Sequence, residues 1–309
     1  MTDVSAPRIL CIGMPVRDLT FRIDAMPVRG AKKRAEHFAE ICGGNAINAA
    51  IGIARLGGRA LLTGPMGDRT EPAQHTLLDQ LAREGIDATH LVAMPGLTTP
   101  VSAVMLDDSG ERTIVTFRDP GLWQVKLSDA ATLLPHCDAI LIENRCAPFG
   151  IELCAAARSR GLAVVVDIDR PMALTDPLLT VASHLVFSSD ALRATASAAS
   201  DAEALGKLAA LTPAFLAGTR GPHGTIWRDE AGRLQETPSF AVQAVDTLGA
   251  GDIFHGAFAL AITERQSIAD ALTFASAAAA LKCTRFGGAF AAPGREEVEQ
   301  LLRSGARQA

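Results

Sequence analysis

Val245-Asp246-Thr247-Leu248-Gly249-Ala250-Gly251-Asp252-Ile253-Phe254-His255-Gly256 is the stretch that decides how this chain reads. Small residues leave the backbone N–H groups of Gly249, Ala250 and Gly251 uncovered, and an apolar helical pattern starts at once. The first turn of a helix adds further unpaired N–H groups and the positive end of its dipole. Such a place binds an anion. A carboxylate beside an anion hole repels the anion unless it has a task, and the task that fits Asp252 is general base. The segment therefore points to phosphoryl transfer, against the plainer alternative of a glycine-rich turn with Asp252 as a helix cap.

Working outward, the pattern is of strands alternating with helices on short connections. Strands are expected at Arg8–Gly13, Ala60–Gly64, Ala139–Glu143, Ala163–Asp167, His184–Ser188 and Ala214–Ala217. Helices are expected at Asn45–Leu56, Gln74–Glu84, Gly150–Arg160, Ala202–Ala210 and Ile268–Lys282. That alternation predicts a mostly parallel sheet covered on both faces. Two regions break the rhythm. Leu19–Ile41 alternates polar and apolar residues, and Val101–Leu106 with Arg112–Phe117 flank Asp107-Asp108-Ser109-Gly110, a strong hairpin turn. They predict a small inserted sheet that covers either the site or a partner subunit.

The 309 residues suffice for one large α/β domain, and 48% hydrophobic content supports a sizeable core. A net charge of −5 argues against a nucleic-acid or anionic-membrane binder, and with no Tyr and two Trp, base stacking has little surface to use. Met1–Pro7 is polar and the apolar run Ile9–Met14 is short, so no signal segment is expected. No run approaches the ~20 apolar residues of a spanning helix. The six cysteines show no CxxC or zinc spacing and read as reduced core thiols. The expected location is cytoplasmic.

Three more segments belong with the first. Gly43-Gly44-Asn45-Ala46-Ile47-Asn48 opens a helix with glycines that admit a ligand, and Asn48 offers a donor and an acceptor. Asp18 follows the opening strand, near the carboxyl ends where ligands of open α/β sheets bind. Gly218-Thr219-Arg220-Gly221 suits a polyphosphate. There is neither a GxxxxGK[ST] nor a GxGxxG motif.

In order and spacing, GG-x-x-x-N at Gly43–Asn48, G-x-R-G at Gly218–Gly221 and D-T-x-G-A-G-D at Asp246–Asp252 resemble the ribokinase-like (PfkB-type) carbohydrate kinases over nearly the whole chain. The resemblance implies one α/β domain over residues 1–309: a three-layer α/β/α sandwich with a mostly parallel sheet, and a β-sheet lid from segments of about 14–42 and 98–120. It implies an ATP-dependent sugar kinase with Asp252 as base and Gly249, Ala250 and Gly251 as the anion hole. Asp18, Gly43, Gly44 and Asn48 would bind the sugar. Ser188, Gly218, Arg220, Gly221, Ser276 and Gly287, with the Thr284–Gly288 turn, would serve the nucleotide. Asp246 and nearby carbonyls would hold a monovalent cation, and Mg²⁺ would arrive with ATP.

The chain departs from the family pattern twice. Ser188-Ser189-Asp190-Ala191 stands where N-x-x-E is common, with Asp190 the carboxylate nearest to replacing the Glu. The loop Phe286–Pro293 lacks a Ser that some members place near the cation. Phe254-His255-Gly256 and Ala280–Arg285 look like a subgroup that includes ketohexose and 6-deoxy-6-sulfofructose kinases. Arg145 falls where the latter carry an anion-binding Arg, Thr116 where they carry an Asn, and Arg118 lies nearby on the lid. The substrate expected is a ketose, neutral or anionic, phosphorylated on a primary hydroxyl, in a homodimer formed through the lid. A nucleoside kinase and a catalytically silent sugar-binding protein are the alternatives.

Overall fold

The structure is a computed structural model and describes residues 6–108 and 112–305. Its main sheet runs, edge to edge, β13 (Leu234–Thr237), β12 (Thr225–Arg228), β11 (Phe215–Thr219), β10 (His184–Ser188), β9 (Ala163–Ile168), β8 (Ala139–Glu143), β1 (Arg8–Ile12), β4 (Arg59–Met66) and β5 (Asp87–Ala93). The pairings from β11 to β5 are all parallel, and β12 and β13 close one edge antiparallel. Side-chain alternation assigns the two cores. Ile9, Cys11, Leu141, Val165 and Val186 face one helical layer, while Leu10, Ile12, Ile140, Ile142, Val164, Val166 and Phe187 face the other. Both faces being covered, these strands read as apolar runs without polar alternation.

The helices are α1 (Asn45–Arg55), α2 (Pro72–Arg83), α3 (Ala130–Leu133), α4 (Ala147–Ser159), α5 (Leu178–Val181), α6 (Ser189–Ala196), α7 (Asp201–Ala209), α8 (Ala250–Thr263), α9 (Ile268–Cys283) and α10 (Arg295–Ser304). Residues of α1, α8 and α9 share one core with each other. The α1–α8 contact depends on two glycines. A Cβ on Gly256 would lie 2.4 Å from the Ala49 carbonyl oxygen, and one on Gly52 would lie 3.0 Å from Ile253. Without them α8 could not press close to α1, and the polar residues at the helix starts would be held apart.

The chain passes from β1 to β4 and β5 on one side, then returns to β8 on the other side of β1. Strand order reverses there, so a crevice opens at the carboxyl ends of β1 and β8. Over that crevice lies a second sheet, β3 (His37–Gly43), β2 (Val16–Arg22), β6 (Val101–Leu106) and β7 (Arg112–Phe117). The expected hairpin is present, with Val101 opposite Phe117 and Leu106 opposite Arg112. Ser109 and Gly110 of its expected turn lie outside the described residues. Register gives this sheet two unlike faces. Asp18, Thr20, Ser102 and Val104 share the face toward the body, and Ser102, Val104 and Leu106 are buried. Leu19, Phe21, Ala103, Met105, Val115 and Phe117 share the other.

Sequence reading placed most elements within a few residues but missed β5, β12, β13, α3, α5, α6 and α10. The strands lie at or next to the sheet edges and α3 and α5 have four residues each, whereas α6 and α10 are amphipathic helices whose pattern was there to be read. The cysteines Cys11, Cys42, Cys137, Cys146 and Cys154 are buried, as expected of small core residues. Among the described residues no helix is long and apolar enough to cross a membrane.

Candidate active site

Gly249 caps α8 with φ +77°, a left-handed conformation that favours glycine. This puts Ala250, Gly251 and Asp252 in the first helical turn, where N–H groups have no intrahelical acceptor. Asp252 Oδ2 accepts a hydrogen bond from Asn48 Nδ2 at 2.7 Å, which is the consequence of the close α1–α8 contact. Burial, then the carboxylates Asp167 and Glu143, raise the proton affinity of Asp252 far above the ordinary carboxylate range, against the Asn48 donor and His255. A carboxylate in that state is a stronger base than one in water.

Asp18, on β2, lies against Gly43: a Cβ there would fall 1.9 Å from its Oδ2. Gly44 takes φ +104°, and a Cβ on it would lie 2.4 Å from the Met14 carbonyl oxygen. Burial pushes Asp18 up to about 6, while the Ser102 hydroxyl and the charge of Arg118 oppose the rise. Asp18, Gly43 and Gly44 therefore meet where the small sheet reaches the start of α1, and Asn48 on the same helix reaches Asp252.

Several residues of this crevice were not anticipated. Glu143 ends β8, is 3% exposed, and accepts from Ala46 N at 3.0 Å. Asp167, on β9, lies 3.5 Å from His255 Nε2 and accepts from Asn45 Nδ2 at 3.2 Å. Burial, then Asp169 and Glu143, push its pKa strongly up. His255 donates from Nδ1 to the Gly251 carbonyl at 2.7 Å. Burial pulls its pKa below the usual value, against the Asp252 charge and the Gly251 and Val186 carbonyls. The signal that could have found Glu143 and Asp167 is an acidic residue closing an apolar strand that has no reason to end in charge.

Arg145 is more committed than the sequence suggested. Its Nε lies 3.1 Å from Glu143 and its Nη2 pairs with Asp169. Arg118 differs in having no carboxylate paired with it among the described residues; its Nε has no hydrogen-bond partner there, and burial, then Arg145, lower its pKa. Beside Arg145 a cavity of about 660 Å³ opens, lined by Trp123, Asn144, Arg145, Arg170 and Met172 among others.

On the other side of the anion hole is a cavity of about 460 Å³. Thr247, Ala250, Gly251, Gly221, Phe240, Phe254, Ser276, Ala280 and Cys283 contribute to its wall. Gly221, Ser276, Ala250 and Gly251 thus share one cavity. Ser188, Gly218, Arg220 and Gly287 do not line it. Ser188 caps α6, accepting from Ala191 N at 3.3 Å. Gly218 is inside β11, where a Cβ would meet Leu192 at 2.7 Å. Arg220 pairs with Glu236 at 3.0 Å. Gly287 donates instead to Asp246 Oδ2 at 3.1 Å. Asp190, the expected replacement for the family Glu, is exposed and pairs with Arg193. Asp246 is no open cation site either, because the Lys282 ammonium lies 3.0 Å from its Oδ2.

The family model described as pfkB family carbohydrate kinase matches residues 6–295. The ribokinase of Bacillus subtilis is 28% identical over 298 residues, covering 95% of this chain and 99% of that protein. Rice fructokinase-1 is 27% identical, covering 91% and 95%. A crystal structure from Agrobacterium tumefaciens, itself only provisionally a ribokinase, superposes with a TM-score of 0.92 at 34% identity, covering 97% and 98%. Arabidopsis thaliana ribokinase, solved with ribose and ATP, has the same fold with a TM-score of 0.85 at 23% identity, covering 97% and 99%.

Proposed function

The chain belongs to the pfkB family of carbohydrate kinases, and from that premise we propose that it transfers the γ-phosphoryl group of ATP to a primary hydroxyl of a ketose-type sugar. The observation that carries the reading is the position of Asp252. It sits at the first turn of α8, hydrogen-bonded to Asn48, between the crevice of Asp18 and the 460 Å³ cavity beyond the anion hole. That an Arabidopsis ribokinase of the same fold is solved with ribose and ATP supports a sugar and ATP as the two ligands.

In this reading the sugar hydroxyl gives its proton to Asp252 while its oxygen attacks the γ-phosphorus. The bond to the β–γ bridging oxygen breaks, and ADP leaves with the electron pair. Gly249, Ala250 and Gly251 hold the equatorial oxygens as charge develops. Asn48 fixes the carboxylate, and Asp18 holds neighbouring hydroxyls. Among the described residues no group of three or more His, Cys, Asp or Glu converges to hold a metal ion. Mg²⁺ would therefore enter on the triphosphate, mostly water-bound, and supplies charge neutralisation there.

The sugar's far end is assigned to Arg118 and the cavity beside Arg145. Arg118 has spare donors, whereas Arg145 is already neutralised by Glu143 and Asp169. A phosphate, sulfonate or carboxylate tail suits a guanidinium. A coupled ADP-release screen over ketoses, aldoses, sugar phosphates, sulfosugars and nucleosides tests the reading. Turnover with a ketose supports it. Turnover confined to nucleosides replaces it with a nucleoside kinase, and sugar binding without turnover replaces it with a silent binder. For an anionic ketose, Arg118→Met should raise KM by roughly 10-fold or more, since a charged hydrogen bond is worth about 1.5–3 kcal/mol. Unchanged KM values return the substrate to a neutral ketose such as fructose.

The small sheet is read as a lid that also joins two copies. Its outer face carries Phe38, 58% exposed, with Val115 at 64% and Phe117 at 52%. A second copy of the same face, related by a two-fold axis, covers such a surface.

A further inference from the structure

We infer that Lys282 is a built-in replacement for the monovalent cation, so that this kinase holds its anion-hole turn with its own ammonium group and needs no K⁺. Lys282 is the penultimate residue of α9, in a run otherwise made of small and apolar residues, and it is fully buried. A lysine is almost never buried without a partner. Its Nζ donates to the Asp246 carbonyl oxygen at 2.7 Å and lies 3.0 Å from Asp246 Oδ2. The same carboxylate accepts from Leu248 N at 2.8 Å through Oδ1, and from Gly287 N and Gly288 N at 3.1 and 2.9 Å through Oδ2.

One positive charge thus ties together three pieces of chain. They are the turn from Asp246 into the anion hole, the Gly287–Gly288 turn, and the end of α9, whose Ser276, Ala280 and Cys283 line the nucleotide-side cavity. A free monovalent ion bound by Asp246 and a carbonyl would do the same mechanical work. It does not fit alongside the ammonium. Both would contact the same two oxygens, and two like charges a few ångströms apart repel strongly where water is scarce. Oδ2 also already receives three donors, which leaves little acceptor capacity for an added cation. The charges around the ammonium agree with this assignment. Asp246, held ionised by Lys282 and the Gly288 and Leu248 N–H groups against its burial, is the compensating carboxylate. Arg112, on the small sheet, adds a further positive influence at the same spot.

The inference rests on the kinase reading for its activity arm, and its thermal arm needs no substrate, so the two can fail separately. In the wild-type protein, initial rates and melting temperature are measured in 100 mM KCl and in tetramethylammonium chloride at equal ionic strength. Both should agree, the rates within about 1.5-fold and the melting temperatures within about 1 °C, because no added ion binds the folded state selectively. A rate several-fold higher in KCl, or a melting temperature raised by several degrees, overturns the inference.

In Lys282→Met the carboxylate loses its cation while the volume is kept. The variant should lose roughly 10-fold or more in kcat in tetramethylammonium salt, with K⁺ or NH₄⁺ restoring much of the loss and raising its melting temperature. A loss that no cation repairs, or no loss at all, overturns the assignment. Should the variant fail to fold, the wild-type comparison alone decides: insensitivity to K⁺ upholds the inference and stimulation by K⁺ refutes it.

Discussion

Replacing Asp252 with Asn tests the chemistry and the electrostatics of the site in one variant. Asn keeps the shape, and its amide oxygen can still accept from Asn48 Nδ2, the 2.7 Å contact of the wild-type carboxylate. What disappears is the proton acceptor, so kcat should fall roughly 10²–10⁴-fold with sugar binding retained. The same change should stabilise the fold. Burial, with Asp167 and Glu143, makes the ionised carboxylate costly, so its proton affinity is raised in the folded protein. A group with a raised carboxylate pKa binds more protons folded than unfolded, so its presence lowers stability as pH rises. The cost is absent below the unfolded value near 4, grows through the interval up to about 7, and is full above it.

The rise to about 7 corresponds to about 4 kcal/mol at high pH if solvent played no part, at about 1.4 kcal/mol per tenfold change. Asp252 is part-exposed, and solvent screening cuts this to roughly 2 kcal/mol. For a chain of this size that is about 3 °C in melting temperature. Calorimetry should therefore show Asp252→Asn melting higher than wild type at pH 8 and level with it near pH 4. A gain of equal size at both pH values would remove the electrostatic argument. Near wild-type turnover would remove the assignment of the base.

Asp167→Asn should move the acidic limb of the kcat–pH profile to lower pH, because Asp167 is the leading neighbouring charge that raises Asp252; an unmoved limb means the two are not in communication. If the proposed lid-to-lid dimer forms, Val115→Glu on the outer face of β7 should convert it to a monomer in light scattering at micromolar concentration while leaving the residues around Asp18 intact, because Val115 shares its face with Phe117 and not with Asp18. A variant that remains dimeric places the interface elsewhere. Gly256→Ala should lower the melting temperature and kcat together, since its Cβ would fall 2.4 Å from the Ala49 carbonyl oxygen and push α8 from α1. Unchanged stability would mean the helices yield without cost.

The sequence determined the chemistry that is local along the chain. A glycine-rich turn entering a helix makes an anion hole whatever surrounds it, because its N–H groups are uncovered by composition and by helix geometry. Apolar runs alternating with amphipathic ones likewise required a parallel sheet covered on both faces, and hairpin chemistry around Asp107 placed β6 against β7. Function at the level of a sugar kinase was legible only through the family resemblance that the motifs at Gly43–Asn48, Gly218–Gly221 and Asp246–Asp252 carry.

What only the tertiary structure decided is pairing between residues distant in the chain. Asn48 read as a sugar ligand, and proximity across 204 residues makes it the hydrogen-bond partner of Asp252. Arg145 read as a free anion binder, and the folding of β8 beside β9 commits it to Glu143 and Asp169. Ser188 and Arg220 read as nucleotide ligands and are absorbed by a helix cap and an ion pair. Lys282 was read only as part of the Ala280–Arg285 segment, and its meaning depends on Asp246 lying 36 residues away. Charge and polarity in the sequence give each group a need for a partner. Only the packed chain, where burial makes an unpaired charge costly, selects which partner meets it.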